Sequence, residues 1–297
     1  MNYCFRSLLA FFLLTATVSA ERIIPYFVST QWLAEHLNDE DLVILQTGFS
    51  RNDFKYAHVP NARFLWFNSL APSTPDLNTE MISLEEGKKV LEELGITRHS
   101  RIILVFTGQN VTTTTRMFLA LSYFGLGDQT ALLDGGLETW KNEGREISKE
   151  MPVVKKSSLQ ITAHPSVITD VEWVKQHLSS PAVSIVDART KNFYDGNGGG
   201  IARQGHIVGA KNIVYNTLMD STNRIKSVTE LQSLFDSAGV AKGNKVISYC
   251  HVGQQATLIY FAAKILGYEA SVYDGSFEDW NVRDDSYPVE KSEAIKK

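Results

Sequence analysis

The feature that most constrains how this chain can fold is a long-period internal repeat. Val28-Ser29-Thr30-Gln31-Trp32-Leu33-Ala34-Glu35-His36-Leu37 recurs as Ile168-Thr169-Asp170-Val171-Glu172-Trp173-Val174-Lys175-Gln176-His177-Leu178. Farther on, Ala57-His58-Val59-Pro60-Asn61-Ala62 answers to Gly205-His206-Ile207-Val208-Gly209-Ala210, and Leu133-Asp134-Gly135-Gly136-Leu137-Glu138-Thr139-Trp140 to Tyr273-Asp274-Gly275-Ser276-Phe277-Glu278-Asp279-Trp280. The offset stays near about 140 residues, and two domains of one fold are the economical account. Each copy holds short apolar runs that read as buried strands: Leu42–Leu45 and Ile102–Phe106 in the first, Val183–Val186 and Val246–Tyr249 in the second. Helical patterns separate them, and Thr169 with Glu172 suggests a capping box at one helix start. The alternation implies an α/β class, each domain a parallel β-sheet flanked by helices on both faces. The expected division is an N-terminal domain over 21–145, a linker over 146–165, a C-terminal domain over 166–290 and a polar tail over 291–297.

Residues 1–20 differ from the rest. Arg6, the apolar run Leu8–Leu14 and the small residues Val18-Ser19-Ala20 form the pattern of a secretory leader cut after Ala20. The apolar run is shorter than the ~20 residues that span a bilayer, so no membrane insertion is expected once the leader is removed. The expected location is exported: periplasmic in a bacterium, otherwise secreted. Of the two cysteines, Cys4 leaves with the leader and Cys250 is left without an intramolecular partner. One cysteine and scattered histidines make no ligand cluster, so neither a metal nor a cofactor is expected. A formal charge of −4 without a basic stripe gives no reason to expect nucleic acid as a partner.

The candidate nucleophile is Cys250. It closes the apolar run Val246–Tyr249 and opens a compact loop of His251, Val252, Gly253, Gln254 and Gln255, followed from Ala256 by a helical run ending at Gly267. A thiol between a strand end and a helix start lies where backbone amides converge and where the helix dipole favours an anion. Both effects are expected to lower its pKa and stabilise the thiolate. Ligands of such parallel sheets bind beyond the carboxyl ends of the strands, which is where Cys250 falls. In the first copy the same position falls on Phe106 or Thr107, the segment Gly108–Thr115 reads as a longer loop, and Gln46 stands for Asp187. That copy is expected to be silent, a packing partner for the second.

Four pieces in order, Asp187-Ala188-Arg189, Gly205-His206-Ile207-Val208-Gly209-Ala210, Cys250-x-x-Gly253-x-x-Ala256 and Asp274–Trp280, with a degenerate copy upstream, resemble the tandem-domain rhodanese family, the thiosulfate/3-mercaptopyruvate sulfurtransferases. The resemblance covers essentially all of the chain after the leader. It implies a sulfurtransferase with an inactive N-terminal domain and a cysteine that carries a persulfide between two half-reactions. It also implies a small anionic sulfur donor and a thiol or cyanide-like acceptor, with a protein sulfur acceptor as a further candidate partner. Thiolate attack on a sulfane sulfur would give Cys–S–SH, and the loop amides would stabilise the persulfide anion.

Two departures from the family bear on the donor. The cysteine loop holds His251, Val252, Gln254 and Gln255 where the family's thiosulfate enzymes carry basic residues directly after the cysteine, and an arginine that helps hold the donor in the family aligns with Asn192. Arg203 and Arg189 are the candidate substrate-binding cations, with Lys191 and Lys226 behind them. Thiosulfate is favoured as donor, with mercaptopyruvate or polysulfide as others, and His251 is expected to add charge at lower pH. The loop Gly196–Gly200 could edge the cleft as a lid. His206, Trp140 and Trp280 read as structural, and Asp274 with Ser276 as a turn supporting the cysteine loop from behind. Two other functions compete with transfer: an exported persulfide carrier with little turnover on small molecules, and a cysteine phosphatase, which would need an arginine at the loop's end.

Overall fold

The computed structural model describes residues 22–292; the leader and the last residues of the tail lie outside them. Five strands of the first half, β1 (Phe27–Val28), β2 (Leu42–Gly48), β3 (Arg63–Trp66), β4 (Arg101–Val105) and β5 (Thr130–Leu133), form a sheet in the order β1-β5-β4-β2-β3. The second half repeats it. Strands β6 (Ile168–Thr169), β7 (Val183–Asp187), β8 (His206–Ile207), β9 (Lys211–Asn212), β10 (Lys245–Tyr249), β11 (Ala270–Tyr273) and β12 (Val289–Glu290) give a sheet β6-β11-β10-β7-β9, while β8 and β12 pair apart from it. All pairings within the two large sheets are parallel; β8 and β12 are antiparallel.

The unbroken apolar strands follow from burial on both faces. In β4, Ile102 and Leu104 point into a core shared by the two halves, while Ile103 and Val105 enter an outer core with Leu42, Ile44 and Trp140. In β10, Val246 faces the shared core and Ile247 and Tyr249 an outer one with Phe277 and Trp280. Two helices meet in the shared core, Val111–Tyr123 of the first half and Ala256–Ile265 of the second. Phe118 and Phe261 pack edge-on at 4.8 Å between ring centroids, and the hydroxyls of Thr115 and Thr257 lie 2.7 Å apart. Each of these helices follows the central strand of its own sheet. The loop at Cys250 therefore lies against the other half.

The segment between the halves is not free. Ser157 and Leu159 hydrogen-bond Glu92 and Ile96, and Leu159 is buried in the shared core.

Register resolves the comparison of the copies. Tyr249 pairs with Asp187 and Val105 with Gln46, so Phe106 stands where Cys250 does. The loop in the first half is shorter, not longer, because Thr112–Thr115 belong to the helix starting at Val111. Those threonines are buried, where β-branched side chains pack well despite their weak helix preference. The helix Val171–Gln176 is capped by Asp170, which accepts from the Trp173 amide at 2.8 Å, in place of the Thr169–Glu172 box. Glu172 instead takes the hydroxyl of Tyr287.

Candidate active site

Strand β10 delivers Cys250 to the end of its sheet, and the loop 251–255 turns back over the sulfur before the helix Ala256–Ile265 begins. The backbone amides of Val252, Gly253, Gln255 and Ala256 act on the sulfur and pull its thiol pKa down. The peptide orientations come from behind. The first amides of the helix Ser276–Asn281 donate to the loop, Phe277 to the Cys250 carbonyl at 3.0 Å and Glu278 to the His251 carbonyl at 2.9 Å. Ser276, at φ +52, accepts from the Cys250 amide at 3.1 Å and donates to the Tyr273 carbonyl at 2.9 Å. With those carbonyls turned outward, the following amides turn inward. Gly253 has φ +80, and a Cβ there would lie 2.6 Å from the Asp274 carbonyl oxygen; only glycine fits. The expected support from Asp274 and Ser276 is in place.

The electrostatics differ from the sequence expectation in one respect. Cys250 is buried, with 1 % of its surface exposed, and burial pushes its thiol pKa up even though four amides pull it down. Withdrawal from water penalises the thiolate more than amides without a neighbouring cation favour it. His251, half-buried, has its pKa pushed down, first by burial and then by Arg189, so its protonation moves to lower pH. Its ring meets Phe193 edge-on at 4.4 Å. Phe193 in turn is pressed by Gly198, where an added Cβ would lie 2.0 Å from the ring. The loop Gly196–Gly200 thus reaches the cysteine loop through one aromatic side chain. Val252, Gln254 and Gln255 are half-buried, and Gln254 donates to Thr112 of the first half at 3.1 Å.

The two candidate arginines separate. Arg203 is a correction: its guanidinium is taken up by the carbonyls of Trp280, Asn281, Asp284 and Tyr287, where it closes the C-terminal end of the helix Ser276–Asn281. Arg189 is fully buried in an ion pair with Asp187 (2.6 Å), donates to the Gly205 carbonyl at 2.7 Å and stacks on Phe277 at 4.0 Å. Its Nη1 alone has no partner. Lys191 is exposed beside Asp195. His206 is structural as expected, held by the Tyr194 carbonyl (2.7 Å) and Glu290 (3.2 Å) and stacked on Tyr194. Trp140 and Trp280 are core residues.

What the sequence did not reveal comes from the first half. Thr79 donates its hydroxyl to the Val252 carbonyl, and Arg116, fully buried, bonds both Asp274 and the Thr79 carbonyl. A charged residue inside the apolar helix Val111–Tyr123 was the only available signal. Glu80 beside them has its pKa pushed up to about 7, chiefly by burial and then by Asp274. No group of three or more His, Cys, Asp or Glu side chains among the described residues could hold a metal ion.

The rhodanese-like domain family matches this chain twice, over residues 29–143 and 170–283. The chain belongs to the rhodanese family. Its relatives within that family include a sulfur carrier protein of Thermus thermophilus, 28 % identical over 85 % of this chain and 92 % of that one. The 3-mercaptopyruvate sulfurtransferase of Escherichia coli is 26 % identical over 89 % of this chain and 98 % of its own length. The thiosulfate sulfurtransferase of Azotobacter vinelandii is 24 % identical, covering 90 % and 97 %. Among solved structures, YnjE superposes with a TM-score of 0.82 at 23 % identity, covering 91 % of this chain and 69 % of that one. These likenesses agree on the tandem rhodanese architecture.

Proposed function

We propose that this rhodanese is a sulfurtransferase that moves a sulfane sulfur from a small anionic donor to a thiophilic acceptor through a persulfide on Cys250. The supporting observation is that the amides of Val252, Gly253, Gln255 and Ala256 act on the Cys250 sulfur, in a loop whose first amide is held by the Ser276 hydroxyl. In the first half-reaction the thiol proton passes to water and the thiolate attacks the outer sulfur of thiosulfate. The sulfur–sulfur bond of the donor breaks, its electron pair leaves with sulfite, and Cys–S–S⁻ remains. The persulfide charge sits on the outer sulfur, where inward amides stabilise it as in an oxyanion hole. In the second half-reaction an acceptor thiolate or cyanide attacks that outer sulfur and Cys250 thiolate leaves. Thiosulfate is the favoured donor, with Arg189, whose charge acts on His251 and whose buried Nη1 has no partner, as the candidate contact for its charge. The leader pattern of residues 1–20 supports an exported location for this chemistry.

A second reading, a persulfide carrier that passes sulfur to a protein, is favoured by the burial of Cys250 and its raised pKa, both of which slow attack on small anions. Intact mass after incubation with thiosulfate tests the common core: wild type gains one labile sulfur and Cys250→Ser gains none. Turnover with thiosulfate and cyanide then separates the readings, because a carrier loads stoichiometrically and releases slowly. Equal sulfur gain by Cys250→Ser refutes both.

A further inference from the structure

We propose that the silent half sets the reactivity of Cys250: the strap Asn78–Met81, anchored by Arg116 as a positioning residue, holds the loop 251–255 in the conformation that turns its amides toward the sulfur. The inference rests on the reading of Cys250 as the reacting group.

The strap touches both layers of the loop's support. Asn78 grips Glu278, through its amide at 2.8 Å and its side chain at 2.6 Å. Glu278 is the residue whose amide holds the His251 carbonyl. Thr79 donates to the Val252 carbonyl, which fixes the peptide between Val252 and Gly253, and the Gly253 amide is one of the four on the sulfur. Met81 donates its amide to Asp274 Oδ2 at 3.0 Å. Arg116 takes the other oxygen of Asp274 and the Thr79 carbonyl, so one guanidinium ties strap and turn together. The Asp274 carbonyl sits 2.6 Å from where a Gly253 Cβ would be, so the turn that Arg116 and Met81 hold packs directly against the loop backbone.

Two features show that this is a clamp and not ordinary interface packing. Thr79 is β-branched yet has φ +55, a conformation that surrounding structure must enforce. Arg116 is buried without any exposed surface, where removing a partner is costly and geometry is tightly held. The opposite side of the interface supplies a comparison within the same molecule. There Asn223, at φ +64, reaches from the second half to the Gly108 carbonyl at 2.6 Å, and Arg224 pairs with Asp134 at 3.2 Å. The helix Ala256–Ile265 brings no charged side chain to that side before Lys264, so the silent loop has no counterpart of Arg116.

The test is the pH profile of Cys250 alkylation by iodoacetamide, which needs no sulfur donor, on full-length Arg116→Gln, Arg116→Lys, Thr79→Val and Arg224→Gln with Tm recorded for each. Arg116→Gln is expected to slow alkylation at pH 7.5 about tenfold or more and to move the midpoint of the profile upward, because loop amides displaced by a fraction of an ångström no longer stabilise the thiolate. Arg116→Lys restores part of the rate, Thr79→Val loses a few-fold, and Arg224→Gln stays within about twofold of wild type whatever its Tm. If Arg116→Gln does not fold, Thr79→Val and Arg116→Lys carry the test. A wild-type profile in Arg116→Gln, or equal shifts in Arg116→Gln and Arg224→Gln, overturns the proposal. Failure of the transferase reading is seen separately, as a wild-type protein that alkylates with the expected profile but takes no sulfur from thiosulfate.

Discussion

The two halves of this molecule share a sheet order, a buried interface helix and a strap thrown over the partner's loop, yet only the second carries a cysteine at the end of its central strand. In the second half the loop between strand and helix runs from Cys250 to Gln255, and amides of that loop and of Ala256 act on the sulfur. In the first half it runs from Phe106 to Asn110, one residue shorter, and a phenyl ring fills the place of the thiol. Beyond β2 a small cavity of about 100 Å3 remains, lined by Gln46, Thr47, Thr107, Asn110 and Thr113 among others. Gln46 replaces Asp187, and with it goes the buried ion pair to Arg189. The straps differ in sign as well: Glu80 lies against Asp274 where Arg224 pairs with Asp134. One residue of loop length and a few side chains separate the cysteine-bearing end of one sheet from the phenyl-filled end of the other.

The largest expected effect comes from breaking the cradle without touching the thiol. Gly253→Ala forces a Cβ against the Asp274 carbonyl at a positive φ, and sulfur loading from thiosulfate is expected to fall about 100-fold or more, measured by intact mass against time. The converse experiment puts a thiol into the silent half. Phe106→Cys is expected to gain no labile sulfur when combined with Cys250→Ser, because the shorter loop lacks the amides. Its removal of a buried ring should cost about 2–4 kcal/mol in denaturant unfolding.

A smaller effect distinguishes the straps by pH. Glu80 faces a cavity of about 560 Å3 between the halves, shared with Asp170, Asp274, Asp279 and Arg283, with Arg116 and Glu278 also acting on its charge. Its pKa is raised from 4.5 to about 7 in the folded protein, so folding binds its proton more tightly and stability from this group falls as pH rises between those values. Glu80→Gln removes that loss. Allowing for the group's partial exposure, it should gain on the order of 1–2 kcal/mol relative to wild type at pH 8 and little at pH 5, read from urea unfolding at both. Arg224→Gln on the opposite strap breaks partly exposed pairs with Asp134 and Glu143, and should cost less than about 1 kcal/mol at either pH.

Much of this comparison was legible in the sequence because it is local. The doubled landmarks revealed two domains, the apolar runs revealed strands, and Cys250 stood at a strand end with Gly253 behind it. Ser276 could be assigned as support because turn residues next to a repeat landmark have few other uses. The rest depends on contacts between residues far apart in the chain. Thr79 meets Val252, and Arg116 meets Asp274, only across the contact between the two halves. The sign of the Cys250 shift was misjudged for a related reason: amide dipoles follow from local position, whereas depth of burial depends on what the other half covers. Arg203 was misplaced because proximity to His206 in sequence does not say which way a long side chain turns, and the carbonyls at the end of the helix Ser276–Asn281 claimed it.

The central claim, that inward amides hold a sulfur on Cys250 and the first half holds none, is tested most directly by a crystal structure of the thiosulfate-treated protein. The account predicts one additional sulfur bonded to Cys250 Sγ within hydrogen-bonding distance of the amides of Val252, Gly253, Gln255 and Ala256, with Phe106 and its loop unchanged. An unmodified Cys250, or thiosulfate or sulfur bound in the first half instead, would contradict it.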